Sequence, residues 1–289
     1  MKYSSAQSSR LGNRSNNEDR STILYRDAYI LMIVVDGMGG HTGGEIAAQT
    51  TIDTFRTVFN NIKLPINNGR SFLQQVLQLS HHAIQERCRE QVDPPRTTCV
   101  CCLIDKNHII WAHSGDSRLY ILRDKHVQYR TRDHSYVEDM LQQKTLTEQE
   151  AAVHPMRNYV TASLGGSTKK PHFSISEKIP LKTNDIILLC SDGLWSAFDD
   201  KEIVSMLQTK PLHPILEQSL DQLTSLADKK TYPHSDNTTA IAIKIEDHTS
   251  PNKVSTITIT TDLNYVADPL KQAVEDIEAA YTLYKKEIK

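Results

Sequence analysis

The sequence predicts an α+β fold in which sheet packs on sheet and helices lie outside. Short β-rich segments recur along most of the chain, separated by turn residues such as Lys106-Asn107 and Arg123-Asp124. Helical patterns come in separate blocks instead of alternating one for one with strands. The chain has 289 residues and 38% hydrophobic content, which suits one large domain, or one domain plus an appendage, with a full core.

From the N-terminus, residues 3–9 are polar and Ser-rich and read as an edge strand, followed by a polar loop over 11–19. Residues 20–25 and 28–36 form two strands turned at Arg26-Asp27. The second of these is an apolar run, Ile33-Val34-Val35, that stops at Asp36-Gly37-Met38-Gly39-Gly40-His41. Ile46, Ala47, Thr50, Phe55 and Val58 give 45–59 helical spacing, and Ser71 is the expected N-cap of a second helix carrying Phe72, Val76, Leu79 and Ile84. Pro94-Pro95 closes this helical block. Strands follow over 97–104, 108–113, 117–122 and 127–131. Residues 134–155 are polar and partly helical and read as a mobile flap. Strands return at 171–179 and 185–191, amphipathic helices at 199–207 and 214–226, and a final strand at 238–245. We expect a domain over 1–247 and an extension over 248–289, made of a strand-like segment at 254–260 and a helix capped by Asp268 with Pro269 at its first position. The apolar stripe of that helix, Leu270, Ala273, Val274, Ile277, Tyr281 and Tyr284, either packs back on the domain or docks a partner or a second copy through 268–286.

The formal net charge of −2 gives no electrostatic reason to expect nucleic acid or an anionic membrane as partner. No apolar run approaches the roughly 20 residues that span a bilayer, and Met1-Lys2-Tyr3-Ser4-Ser5 lacks the apolar core of a signal peptide. Cysteines are odd in number, so a disulfide framework is not expected and a cytoplasmic location fits. Cys99-Val100-Cys101-Cys102 reads as a strand of small apolar residues instead of a metal knuckle, because no second cysteine pair exists.

Several carboxylates share one placement, where a predicted strand meets a loop: Asp36, Asp116, Asp192 and Asp236, with Glu18 and Asp19 in the first loop. Each Asp-Gly alone is ordinary turn chemistry. Brought to one sheet edge, such a cluster would raise its own pKa values and would take up divalent cations. Gly37, lacking a Cβ, lets its backbone approach a ligand closely.

The motifs, read in order, resemble the PPM/PP2C family of metal-dependent serine/threonine protein phosphatases in its bacterial form. They are Gly12-Asn13-Arg14 leading into Asn17-Glu18-Asp19, Val35-Asp36-Gly37-Met38-Gly39-Gly40-His41, Arg96-Thr97-Thr98 and Gly115-Asp116-Ser117-Arg118. After these come Thr131-Arg132-Asp133-His134-Ser135, His154-Pro155 with Asn158 through Leu164-Gly165-Gly166, Ser191-Asp192-Gly193-Leu194, and Asp236-Asn237-Thr238-Thr239. The resemblance implies a four-layer α/β/β/α sandwich of two antiparallel sheets, and two, in some members three, Mn²⁺ or Mg²⁺ ions. It implies that Asp36 bridges two metals, the Gly37 carbonyl binds one, and Asp192 and Asp236 complete the other. Glu18 would hold waters around the metals, Asp116 with Asp192 would form a third site, and Arg14 would bind the substrate phosphate. The implied reaction is hydrolysis of phosphoserine or phosphothreonine by a water that the metals activate, opposing a bacterial Ser/Thr kinase or acting on its targets. An alternative is a binding module acting through the C-terminal helix.

Two departures stand out. Met38 occupies the place where animal members carry the proposed histidine acid, leaving His41 either as a substitute proton donor or as a residue that caps or packs the next helix. Ala162 stands where relatives often carry arginine. Ser191 and Ser117 read as turn residues, and His81, His82, His134 and His154 as structural ones.

Overall fold

The computed structural model describes residues 1–39, 43–209 and 214–247. The Ser-rich start is strand β1 (Lys2–Arg10). A hairpin follows, β2 (Asp19–Arg26) and β3 (Tyr29–Met38), turned at Asp27 with φ 51°. Helices α1 (Gly43–Asn61) and α2 (Gly69–Arg87) come next. Then run β4 (Arg96–Thr97), β5 (Cys99–Asp105), β6 (His108–Ser114), β7 (Arg118–Arg123) and β8 (His126–Arg130). The polar flap segment contains α3 (Tyr136–Gln142) and α4 (Glu148–Ala152). Short pieces β9 (Leu164–Gly165), β10 (Ser174–Ile175) and β11 (Ile179–Pro180) precede β12 (Ile186–Cys190). Helices α5 (Asp192–Trp195), α6 (Asp200–Val204) and α7 (Leu216–Thr231) lead to β13 (Thr238–Asp247).

The strands form two sheets. One is five-stranded in the order β1-β13-β12-β7-β8, and the other is eight-stranded and centred on β3, with β2 on one edge of β3 and β5 on the other. The named pairings are antiparallel. Side-chain alternation explains the layering. Along β3, Leu31, Ile33 and Val35 pack with Phe55, Phe59, Leu73 and Leu77 of α1 and α2. The intervening Ile30, Met32 and Val34 meet Ile187, Leu189, Ile241 and Ile243 of the facing sheet. The outer face of the second sheet buries Leu188, Ala240 and Ala242 against Leu194, Ile203, Leu220 and Leu223. The result is the four-layer α/β/β/α sandwich of two antiparallel sheets. Each strand at its centre is apolar on both faces, as burial on both sides requires.

Several local expectations change. The second helix is capped by Asn68, whose Oδ1 accepts from Ser71 N at 3.0 Å, so the helix begins one turn earlier than Ser71 suggests. The strand expected over 171–179 survives only as β10 and β11, both on β6. Between them Ser176 N still donates to Trp111 O at 2.9 Å, while Ser176 Oγ, in place of a backbone carbonyl, accepts from Trp111 N at 3.0 Å. The helix expected over 199–207 is α6 with a capping box at Asp199 and Glu202, passing into a π-helical turn over Ser205–Thr209. The last helix of the domain runs past 226 to Thr231, with Lys229 and Lys230 in its final turn. Cys99, Cys101 and Cys102 are free, buried strand residues. Among the described residues no helix is long and apolar enough to cross a membrane. The extension 248–289 and His41 lie outside the described residues.

Candidate metal centre

Strand alternation aims Asp36 at the site. Ile30, Met32 and Val34 face the opposing sheet, so Asp36 continues the same face at the point where apolar residues give way to carboxylates. Contrary to expectation, the strand does not end at Asp36. It runs on to Met38, because β4 continues the edge contributed by β5: Gly37 pairs with Thr97 and Met38 with Arg96. Thr98 N donates to Asp36 O at 2.8 Å, Thr97 Oγ1 to the same oxygen at 2.9 Å, and Asp36 N to Thr98 Oγ1 at 3.0 Å. Both the N–H and the carbonyl of Asp36 are therefore held, from the Thr97-Thr98 side. Gly37 tolerates no side chain, since a Cβ there would run into the Gly44 carbonyl and the Glu18 carbonyl oxygen.

The other carboxylates arrive from three loops. Asp116 lies between β6 and β7, after Gly115, whose φ of 102° places it in the left-handed region. Its carbonyl accepts from Trp195 Nε1 at 2.9 Å, and the next residue, Ser117, shares a 2.7 Å hydroxyl hydrogen bond with Thr98. Asp192 opens the short helix α5 directly after β12, where a loop is expected. Asp236 precedes β13, and its Oδ1 accepts from Asn237 N at 2.8 Å. Asn237 ties this loop to the first one. Its Nδ2 donates to Leu11 O and Asn16 O at 2.8 and 3.0 Å, and its Oδ1 accepts from Glu18 N at 2.8 Å.

The structure brings Asp36, Asp116, Asp192 and Asp236 within mutual electrostatic reach and adds Asp19. Burial first, and then Asp19, Asp192, Asp116 and Asp236, hold the Asp36 carboxyl well above the ordinary range. Asp192 is raised the same way, by burial and then by Asp116, Asp236 and Asp19. Burial and the charge of Asp133 push Asp116 up to about 7. Glu18 is raised by burial, against the opposing pull of Arg14. Arg14 Nη2 lies 2.6 Å from Asp236 Oδ2 and is 59% exposed, so its guanidinium is open on the solvent side.

Asp19, to which the family resemblance gives no role beside its neighbour Glu18, joins the cluster. It is 3% exposed and sits directly across from Asp36 in the β2–β3 register. Its Oδ2 accepts from Ser191 Oγ at 2.7 Å, while its Oδ1 is buried with no hydrogen-bond partner. Burial lifts its pKa to about 6, opposed by the hydrogen bonds from Ser191 and Thr239. Alternation along β2 against the aim of Asp36 was the signal that could have found it.

The donor set suits a divalent cation in kind, although among the described residues no group of three or more His, Cys, Asp or Glu side chains is arranged to hold one. The donors are oxygens, which suit Mg²⁺ or Mn²⁺. The carboxylates raise one another's pKa, and Asp19 offers an unpartnered buried oxygen. Serine and cysteine nucleophiles are occupied. Ser191 Oγ is tied to Asp19 and to Thr239 N, and Ser117 Oγ to Thr98, so both hold loops in place instead of merely turning them. The cysteines are buried. The histidines also have structural partners. His81 Nδ1 accepts from Gly165 N, His134 Nδ1 from Gly115 N and His154 Nδ1 from Met156 N.

A two-sheet sandwich between helix layers, with this acidic cluster at one edge, defines the phosphatase class anticipated from the motifs. The chain belongs to the Protein phosphatase 2C family, whose family model matches residues 6–233. It is 32% identical over 201 residues to a putative protein phosphatase 2C-type from Streptococcus pyogenes, covering 68% of this chain and 80% of that protein. The solved serine/threonine phosphatase of S. agalactiae superposes with a TM-score of 0.77 at 28% identity, over 85% of this chain and 100% of that one. The catalytic domain of the serine/threonine protein phosphatase PstP, solved with 2 manganese ions, superposes with a TM-score of 0.69 at 28% identity, over 85% of this chain and 99% of that one.

Proposed function

We propose that this protein hydrolyses phosphoserine and phosphothreonine in proteins with the help of Mn²⁺ or Mg²⁺, in opposition to a Ser/Thr kinase, and that residues 1–247 carry the activity. The observation that carries the reading is the group of carboxylates in which Asp36 and Asp192 are held above the ordinary range by burial and then by Asp116, Asp236 and Asp19, with Arg14 open at its rim. Asp36, the Gly37 carbonyl, Asp192 and Asp236 would hold two ions, with Glu18 and Asp19 behind them and Asp116 with Asp192 offering a third position. When bound, the ions would supply Lewis acidity, which activates water near neutral pH and neutralises phosphoryl charge. The two manganese ions of the PstP structure support that reading.

The chain's own groups do the rest. Arg14 offers a guanidinium fork to two phosphate oxygens, and its exposure leaves room for them. Thr97 and Thr98 fix the Asp36 backbone, and Asn237 fixes the first loop against the Asp236 loop. With Ser191 and Ser117 engaged, direct attack by water is favoured over a covalent phosphoenzyme. Met38 carries no transferable proton, and His41 remains our candidate donor to the leaving alkoxide. The test is release of phosphate from a phosphothreonine peptide with Mn²⁺, with chelator, and with Asp36→Asn. Turnover that needs Mn²⁺ and disappears in the variant is expected. Equal rates in the three samples, or none with Mn²⁺, would sink the reading.

A further inference from the structure

We propose that Arg96 is a specificity-determining residue that recognises an acidic side chain in the substrate, two or three positions from the phosphorylated residue. The proposal rests on the phosphatase reading and adds a sequence preference to it.

The register places Arg96 on the face of the site. The pairing of β3 with β5 and β4 runs without a slip from Tyr29↔Asp105 through Val34↔Val100 to Gly37↔Thr97 and Met38↔Arg96. On the β5 side, Ile104, Cys102 and Val100 face the opposing sheet, while Leu103, Cys101 and Cys99 face the helices. Continuing that alternation, Thr98 falls beside Asp36 and Arg96 beside Met38, both on the inter-sheet face. Thr97 confirms the alternation from the other side. It is buried and pairs with Leu164, which belongs to the core beneath α2. The face therefore shows a row formed by Asp19, Asp36 and Thr98, and one step outward a row that ends in Met38 and Arg96.

Arg96 is exposed, and its guanidinium makes no hydrogen bond or ion pair with the described residues. Arg14, Arg20, Arg118 and Arg123, by contrast, are each paired with a carboxylate. Arg14 comes from the loop before β2, and Arg96 from the edge of β3 opposite β2, so the two cations flank the carboxylates. Strands β2 and β4 are two strand spacings apart, roughly 9.5 Å. With the phosphate held by the metal site and Arg14, an extended peptide advancing about 3.3 Å per residue reaches Arg96 after two or three residues. The long apolar stem of arginine lets its head span the remaining gap while staying hydrated. A carboxylate is the group a guanidinium fork reads best at that position.

The test compares phosphothreonine peptides that differ only by Glu or Gln at the second and third positions on either side. kcat/KM is measured for the wild type, Arg96→Gln and Arg96→Lys, each normalised to its own rate on p-nitrophenyl phosphate. At one of these positions the wild type should prefer Glu about three- to fivefold, the size of an exposed charge pair. Arg96→Gln should bring the ratio to about one, Arg96→Lys should keep part of it, and 0.5 M salt should shrink it. Each ratio is taken within one protein, so a change in folded fraction cancels. A wild type with no Glu preference, or an Arg96→Gln variant that keeps it, overturns the proposal while leaving the phosphatase reading intact. Absence of turnover on every substrate, p-nitrophenyl phosphate included, overturns both.

Discussion

Asp185 is fully buried and Asp36 half-buried at the sheet edge, and their surroundings are opposite. Asp185 accepts from Arg123 Nε and Nη2 at 2.8 and 2.6 Å and from Lys182 N at 2.7 Å. Asp133 is held the same way, by Arg118 Nε and Nη2 at 2.8 and 2.7 Å, with the guanidinium stacked 3.7 Å from the Trp195 ring centroid. Asp36, Asp116 and Asp192 have no such fork among the described residues: Asp36 and Asp192 face Asp116, Asp236, Asp19 and each other, and Asp116 is raised by burial and then by Asp133 and Asp19 against the pull of Arg118. The paired aspartates join elements of the fold and are complete. The unpaired ones have raised pKa values, and perturbation of that kind marks a candidate ligand site.

Substitution should separate the two groups. Asp192→Asn keeps the shape and removes one repelling charge, so turnover should fall on the order of 10³-fold, about 4 kcal/mol of barrier. The metal-free variant should melt a few degrees above the metal-free wild type at pH 8. A lower Tm would mean that Asp192 is a stabilising residue like Asp185. Arg123→Ala should do the reverse. It strands the Asp185 carboxylate and should cost about 3 kcal/mol in denaturant unfolding, with kcat per folded molecule little changed. A large loss of kcat at full stability would erase the distinction.

The metal-free protein should also respond to pH in a set direction. Asp36, Asp192 and Asp116, the last with a pKa of about 7, keep their protons in the folded state to higher pH than in the unfolded chain. Their contribution is fully present below the unfolded value, near pH 4, and is lost as pH rises through the folded values. Saturating Mn²⁺ should therefore raise stability by about 2–3 kcal/mol at pH 8 and by less at pH 5, read as a shift in Tm. A shift independent of pH would place the ions elsewhere. The smallest effect belongs to Arg14→Ala, which should raise KM about tenfold with kcat changed less, because it removes a phosphate contact. An unchanged KM would argue against that contact.

Much of this was legible in the sequence because strand chemistry is local. The apolar run before Asp36, the β-rich segments between turn residues, and the Asp-Gly placements each carry their signal within a few residues. What was hidden depends on pairing between distant segments. Glu18 and Asp19 are adjacent acids, and only the register Asp19↔Asp36 decides which one turns inward. The Asn237 side chain holds Leu11, Asn16 and Glu18, more than 200 positions away in sequence. Ser191 looked like a turn residue, and only the fold brings Asp19 to its hydroxyl. The strand expected over 171–179 is interrupted at Ser176, whose Oγ takes the Trp111 N–H that a backbone carbonyl would otherwise accept.

The most direct test of the metal centre is a Mn²⁺ titration of metal-free protein, with bound Mn²⁺ and phosphopeptide turnover read on the same samples, for wild type and Asp36→Asn. We expect turnover of the wild type to rise as the sites fill, and Asp36→Asn to lose both tight Mn²⁺ binding and turnover while remaining folded. A folded Asp36→Asn protein that binds Mn²⁺ as tightly as the wild type and turns over at the same rate would contradict the assignment of these carboxylates as the catalytic metal site.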